Sequence, residues 1–423
     1  MITLRDLVRA VGRERRVADW IVIERVQEVA IVDQLRQLTR RETRASFTIV
    51  LHVDSALGRG SARVTIDAGQ GTASAVIARA LSLAAAAVGP TWRSVPPAAP
   101  AQVAILDPDL PRDLVEAAAA LVGFAKGTVR ARGSVVLEQR AIQAKNGFRE
   151  EWAASELRVE ALVTEGDRSL ELVREGRRLV DLVDPAQPDA MPAALAAALV
   201  DLAAVRGAKP APAIADPVDL VLGTDALLHG DGLGVWSVFA VQADATLERQ
   251  GLTRYRIGAP ITPGAAQVAE PLTITSDGSI DHALRSAPVG DDGDAVRKFD
   301  LVERGISAGL ALTMREAALR GRDPNGGIRN LIISPGTWDG TPARRTIEIR
   351  RLRALSIDPY SGDASLEIAL GFDDGRPFSG GTVRIDLIVA LSRARRRKAD
   401  RPTRRGAYVG PPAVLIERAE LLI

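Results

Sequence analysis

No cysteine occurs in this 423-residue chain, and histidine occurs three times, at His52, His229 and His282. The chain therefore has no disulfide, no thiolate nucleophile and no Cys-ligated zinc or iron–sulfur centre. Packing must hold the fold together. A hydrophobic content of 46% suffices for sizeable cores and excludes global disorder. The length suits two domains, with room for a third. Lysine plus arginine number 55 against 53 acidic residues, so the chain is not a polyelectrolyte. Aromatic residues make up only 4%, which argues against a stacking platform for nucleic-acid bases. Charges interrupt the apolar stretches of the N-terminus, so no signal peptide is expected. No window is apolar enough for a membrane span, and the expected location is cytoplasmic.

Thr3 and Asp6 stand at capping-box spacing and predict a helix over 3–16. Val- and Ile-rich runs predict strands at 19–25, 28–35, 46–53 and 61–66. An Ala-rich helix is expected after Thr72, stopped by Gly89-Pro90, and further helices at 111–126 and 189–206. Strands are expected at 133–142, 155–164 and 169–174. The stretch from Gly207 to Ala213 reads as a linker. It divides the chain into an N-terminal α/β domain, 1–207, and a C-terminal β-rich domain, 215–423. In the second half, strands are expected at 219–222, 272–275, 298–304, 330–334, 344–356, 364–372, 383–392 and 414–422. A helix or long turn is expected at 309–320, and 244–267 reads as irregular. The fold class is α+β.

Few residues carry chemistry on their own. Gly69-x-Gly71-x-x-Ser74 sits between strand and helix but lacks the third glycine and the acidic ribose ligand of a dinucleotide site, so it reads as a plain turn. Asp291, Asp292 and Asp294 read as an acidic turn, because no bidentate acid follows at calcium-loop spacing. Arg393 to Arg405 holds eight bases and one acid. It reads as a solvated loop between C-terminal strands, with nucleic-acid binding as the alternative. His229 stands among glycines, without the second histidine and glutamate that a helical zinc site requires.

Several segments of the second half resemble the TldD/PmbA (TldE) family of gyrase modulators and peptide-processing metallopeptidases. They are Pro271 to Gly278, Asp291 to Gly293, Lys298 to Gly305, Pro324 to Gly336, Ser361 to Leu366 and Gly410 to Ile416. The N-terminal half is similar more loosely. The resemblance implies an N-terminal α/β domain and a C-terminal domain built on a curved, barrel-like sheet. It also implies a heterodimer in which a TldD-type subunit carries HExxxH and a later cysteine as zinc ligands, whereas a TldE-type subunit lacks them. His229 aligns with the first histidine of that motif, Gly230 with its glutamate and Gly234 with its second histidine.

The expectation is therefore a non-catalytic TldE-like subunit with no cofactor of its own. Its expected partners are a TldD-like zinc-bearing subunit and a peptide substrate, a leader peptide or an unfolded polypeptide. Asn330 and Gly336 match family positions and are guesses for peptide contact. Two alternatives stay open. One is an independent hydrolase using Asp231, Asp277 or His282. The other is a gyrase-associated nucleic-acid-binding protein using the arginine run.

Overall fold

The computed structural model describes all residues except 1, 95–98, 167, 213–217, 231, 342–343 and 420–423. Helix α1 (Leu4–Arg13) begins at the expected capping box. The Thr3 side chain accepts from the Asp6 amide at 3.2 Å, and the Asp6 carboxylate accepts from the Thr3 amide at 3.2 Å. The runs at 19–25 and 28–35 are one strand, β1 (Asp19–Asp33). The residues between them, Val26 and Gln27, include no turn former, and β1 is paired on both sides.

The remaining N-terminal elements are β2 (Leu38–Ser55), β3 (Gly58–Asp67), α2 (Ala73–Ala86), β4 (Val88–Gly89), α3 (Leu114–Leu121), β5 (Val129–Ala144), β6 (Arg149–Glu165), β7 (Arg168–Gly176), α4 (Leu179–Val183) and α5 (Met191–Arg206). The seven strands form one sheet in the order β4-β3-β2-β1-β5-β6-β7, with every neighbouring pair antiparallel. The sheet is two antiparallel meanders, β1 to β4 and β5 to β7, joined where β5 pairs with β1, and α3 lies on the connection between them. The Gly69–Gly71 turn leads into α2, whose N-terminus is capped by the Thr72 hydroxyl, 3.3 Å from the Ala75 amide.

Strand alternation sorts the sheet's two faces. Val22, Ile49, Leu51 and Val64 pack with α1 and α2. Ala30, Val32, Val135, Leu157 and Val159 pack with α3, α4 and α5. On the opposite face, Ile21, Val50 and Ile142 meet Trp92 and, from the C-terminal half, Met314.

The C-terminal half contributes a six-stranded and an eight-stranded sheet around one large core. Neither closes on itself among the described residues, so the barrel-like sheet is open. The 207–213 stretch is not a bare linker. Lys209–Pro210 pairs with Phe378–Ser379 at an edge of the eight-stranded sheet, and 213–217 lies outside the described residues. The expected strand 383–392 is a strand, Thr382–Asp386, followed by a helix, Leu387–Arg393. Asp386 makes the break by accepting from the Val389 amide at 3.0 Å as an N-cap. The region 244–267 likewise contains a short helix, Ala245–Arg249, capped by Asp244. No described helix is long and apolar enough to cross a membrane.

One buried base lies at the covered end of the N-terminal sheet. His52 is 7% exposed, hydrogen-bonded to the Ser61 hydroxyl at 2.9 Å and set edge-on to Trp92. Burial pulls its pKa down to about 4, helped by Arg59 and Arg315 and opposed by Asp19 and Asp54. A base with a depressed folded pKa lends stability that is full above its unfolded value of 6.5 and is lost as pH falls towards 4. Urea titrations at pH 7 and pH 4.5 should therefore differ by about 2–3 kcal/mol from this residue. His52→Gln should flatten that difference, and an unchanged pH dependence in the variant would refute the assignment.

Candidate functional site

The stretch aligned with the metal-binding motif lies where β7 meets the C-terminal sheets. It follows α6 (Thr224–Leu227), a single turn tied to the C-terminal segment by the Thr224 hydroxyl, which donates to Pro412 O at 2.6 Å. The helix ends there because the chain turns back on itself. Gly230, Gly232 and Gly234 have φ of +93°, +80° and +53°, a backbone region that favours glycine. A Cβ on Gly234 would lie 1.9 Å from Leu227 O and 2.6 Å from Leu228 Cα. No side chain, and so no metal ligand, fits at that position in this backbone.

His229 is half-buried. Burial lowers the pKa of its imidazole, while Glu171 and Asp225 pull the other way. No group of three His, Asp or Glu side chains capable of holding a metal occurs among the described residues. The donors near His229 thus do not fit a zinc ion.

What the junction does hold is a buried ionic network, which sequence reasoning missed. Asp225 sits in the first turn of α6. Its carboxylate meets Arg405 at 2.6 Å, Arg351 at 3.0 Å and Arg174 at 3.2 Å. Arg405 also reaches Asp189 at 3.0 Å, and Arg351 reaches Asp201 at 2.6 Å. Arg174 comes from β7, Asp189 from the loop before α5, Asp201 from α5, and the other members from the C-terminal half. Burial alone would raise the Asp225 pKa. Arg405, Arg174 and Arg351 outweigh it and hold the carboxyl far below its ordinary range. Burial, then repulsion from Arg405, pushes Arg174 down to about 10.

The other sequence-predicted residues are dispersed. Asn330 is fully buried. Its amide nitrogen donates to Asp277 O at 2.7 Å and to the Ser286 hydroxyl at 2.9 Å, and its oxygen accepts from the Arg285 amide at 2.9 Å. It braces the 280–286 loop and presents no side-chain surface to a peptide. Gly336 is a close-packing position, since a Cβ there would lie 1.9 Å from Arg396 O. Asp277 accepts from the backbone and hydroxyl of Ser279. His282 has φ of +58° and a buried Nδ1 without a hydrogen-bond partner among the described residues. Asp231 lies outside the described residues. Among the described residues, no hydrogen bond joins Asp277 to His282.

The acidic turn is structural on its inner side. Asp294 accepts from the Gly326 amide at 3.1 Å, and Asp292 pairs with Arg63 of β3 at 2.8 Å. The arginine run is not a solvated loop throughout. Arg396 is 2% exposed, lies in a short strand and donates to Glu270 O and Pro271 O. Arg405 belongs to the junction network, and Arg393 donates to Pro263 O at 2.7 Å. Nearby, Arg177 is a buried guanidinium whose acceptors among the described residues are main-chain oxygens. It donates to Ala283, Leu284 and Ser286 of the C-terminal half and to Ile105 and Ser155 of the N-terminal half.

Comparisons with known proteins agree with this geometry. The chain superposes on the crystal structure of TldE from Thermococcus kodakarensis with a TM-score of 0.75 at 15% identity, over 99% of this chain and 100% of that one. A candidate DNA gyrase modulator from Thermotoga maritima matches with 0.70 at 16% identity, covering 98% of each chain. Another from Bacteroides thetaiotaomicron matches with 0.73 at 16%, covering 99% of each. No curated protein sequence matches at a significant level. Residues 237–420 match the PmbA/TldA metallopeptidase C-terminal domain. The chain thus has the fold of TldE, and its residues 237–420 are similar to the C-terminal domain of the PmbA/TldA metallopeptidases.

Proposed function

We propose that this chain is a non-catalytic, TldE-like subunit that pairs with a zinc-bearing TldD-like subunit in the cytoplasm. Together they would cleave peptides, either leader peptides or unfolded polypeptides. The observation that carries the reading is Gly234. The position aligned with the second zinc-ligating histidine closes onto Leu227 O and admits no side chain. The aligned glutamate is Gly230, and no cysteine exists to supply the third ligand. Without a general base a metal-bound water would lose about 10²–10⁴-fold in rate.

In this reading the α6 turn and its ion network serve as scaffold, holding the two halves in one shape for the partner. The arginine run gives little support to a nucleic-acid role, because Arg393, Arg396 and Arg405 are bonded within the fold. The test is co-expression with a TldD-type subunit, followed by zinc analysis and a peptide-cleavage assay. Zinc and turnover are expected only when that subunit is present and to rise with complex formation. Zinc-dependent turnover by this chain alone would refute the proposal.

A further inference from the structure

Strand β2 is longer than its partner on one side. Its residues 46–55 pair with β3, but residues 38–45 pair only with β1. In that stretch β2 is the edge of the sheet. Ala45 O accepts from the Ala68 amide at 2.8 Å, so the main chain of Ala45 points away from β1. Alternation then points the N–H and C=O of Thr43 and Arg41 outward too, and no described strand pairs with them. The hairpin tip exposes Leu35 and Leu38, at 68% and 49%. Residues 35–41, 43 and 44 are all exposed.

An open edge is a template for another strand. This one has a sign. Residues 36–44 hold Arg36, Arg40, Arg41 and Arg44 against Glu42 alone. Arg40 and Arg44 both lean on Glu42, at 2.8 and 2.7 Å, on the sheet's open face, while Arg41 lies on the helix face 3.9 Å from Asp113. The cationic excess repels the same edge of a second copy and favours a strand of opposite sign. On the open face, Arg40, Arg130 and Arg132 line a depression of about 760 Å³ together with Asp33, Glu160 and Glu171, so the cationic excess is confined to the strand edge itself.

We propose that the outer edge of β2 at residues 38–45 binds an extended acidic polypeptide segment by strand addition. The outward N–H and C=O groups of Arg41 and Thr43 would form the ladder, and the arginines would select for acidic side chains. The site lies on the N-terminal sheet and needs neither metal nor catalytic partner. Its failure would leave the subunit reading untouched.

The test uses the full chain and fluorescence anisotropy with a labelled nine-residue peptide alternating glutamate and valine. Saturable binding is expected, weakening at least tenfold between 50 and 300 mM salt. Thr43→Pro removes one outward N–H without touching the β1 ladder and should weaken binding about tenfold at an unchanged melting temperature. N-methylation of alternate peptide amides should do the same, and Arg41→Glu should weaken the acidic peptide while improving a lysine–valine counterpart. Three results would overturn the proposal: no saturable binding, binding indifferent to both Thr43→Pro and N-methylation, or displacement by a short DNA duplex.

Discussion

Gly234→Ala should destabilise the chain by about 2–5 kcal/mol, combining a left-handed backbone penalty with overpacking. The clash is with main chain. The new Cβ would meet Leu227 O and Leu228 Cα, and neither can rotate away as a side-chain tip would. Gly230→Ala is the matched control. Its φ is also positive, at +93°, yet its Cβ would meet nothing within 4 Å, so it should cost only about 1 kcal/mol. Urea denaturation of the two variants separates conformational strain from steric exclusion, and equal losses would sink the steric argument. The same reasoning predicts that Gly230→Glu with Gly234→His fails to create a zinc site. The expected result is a poorly folded protein without stoichiometric zinc.

Asp225→Ala should cost about 3–5 kcal/mol, the range for removing one partner from a buried ion network. Arg351 and Arg405 would keep Asp201 and Asp189, but Arg174 would lose its only carboxylate contact among the described residues. The loss should appear as a lowered urea midpoint and as early exposure of the contact between β7 and the C-terminal half in hydrogen exchange. The pH dependence has a defined sign. A carboxyl depressed in the folded state contributes stability that is present above its unfolded pKa of 3.8 and lost as pH falls below it. The parent protein should therefore lose stability steeply below pH 4, and Asp225→Asn should start lower and fall less steeply there. Parallel curves would refute the role given to this carboxylate.

Elements with local signatures are legible in the amino-acid sequence. Thr3 and Asp6 mark the start of α1, and Val/Ile alternation marks most strands. Sequence and fold part company where tertiary context decides. β1 runs through Arg25–Gln27 because two neighbours pair with it there, and the only local trace of this is that Val26 and Gln27 include no turn former. The Leu387–Arg393 helix is hidden because Ile385, Leu387, Ile388 and Val389 look strand-like, and only Asp386 as a cap announces the change. At the junction, the glycines at 230 and 234 show what the motif lacks. The network is not legible, because Arg174, Asp189, Asp201, Asp225, Arg351 and Arg405 are spread over more than half of the chain. A pairing at that separation leaves no spacing to read. The arginine run misleads for the same reason, since its inward-facing members look no different in sequence from its exposed ones.

Arg177 has a consequence for the order of events during synthesis. Three of its five acceptors, Ala283, Leu284 and Ser286, are made roughly 100 residues after it, at about 5–20 residues per second. Until they emerge those three bonds cannot form, so this guanidinium reaches its full set of acceptors only once that part of the C-terminal half has been made.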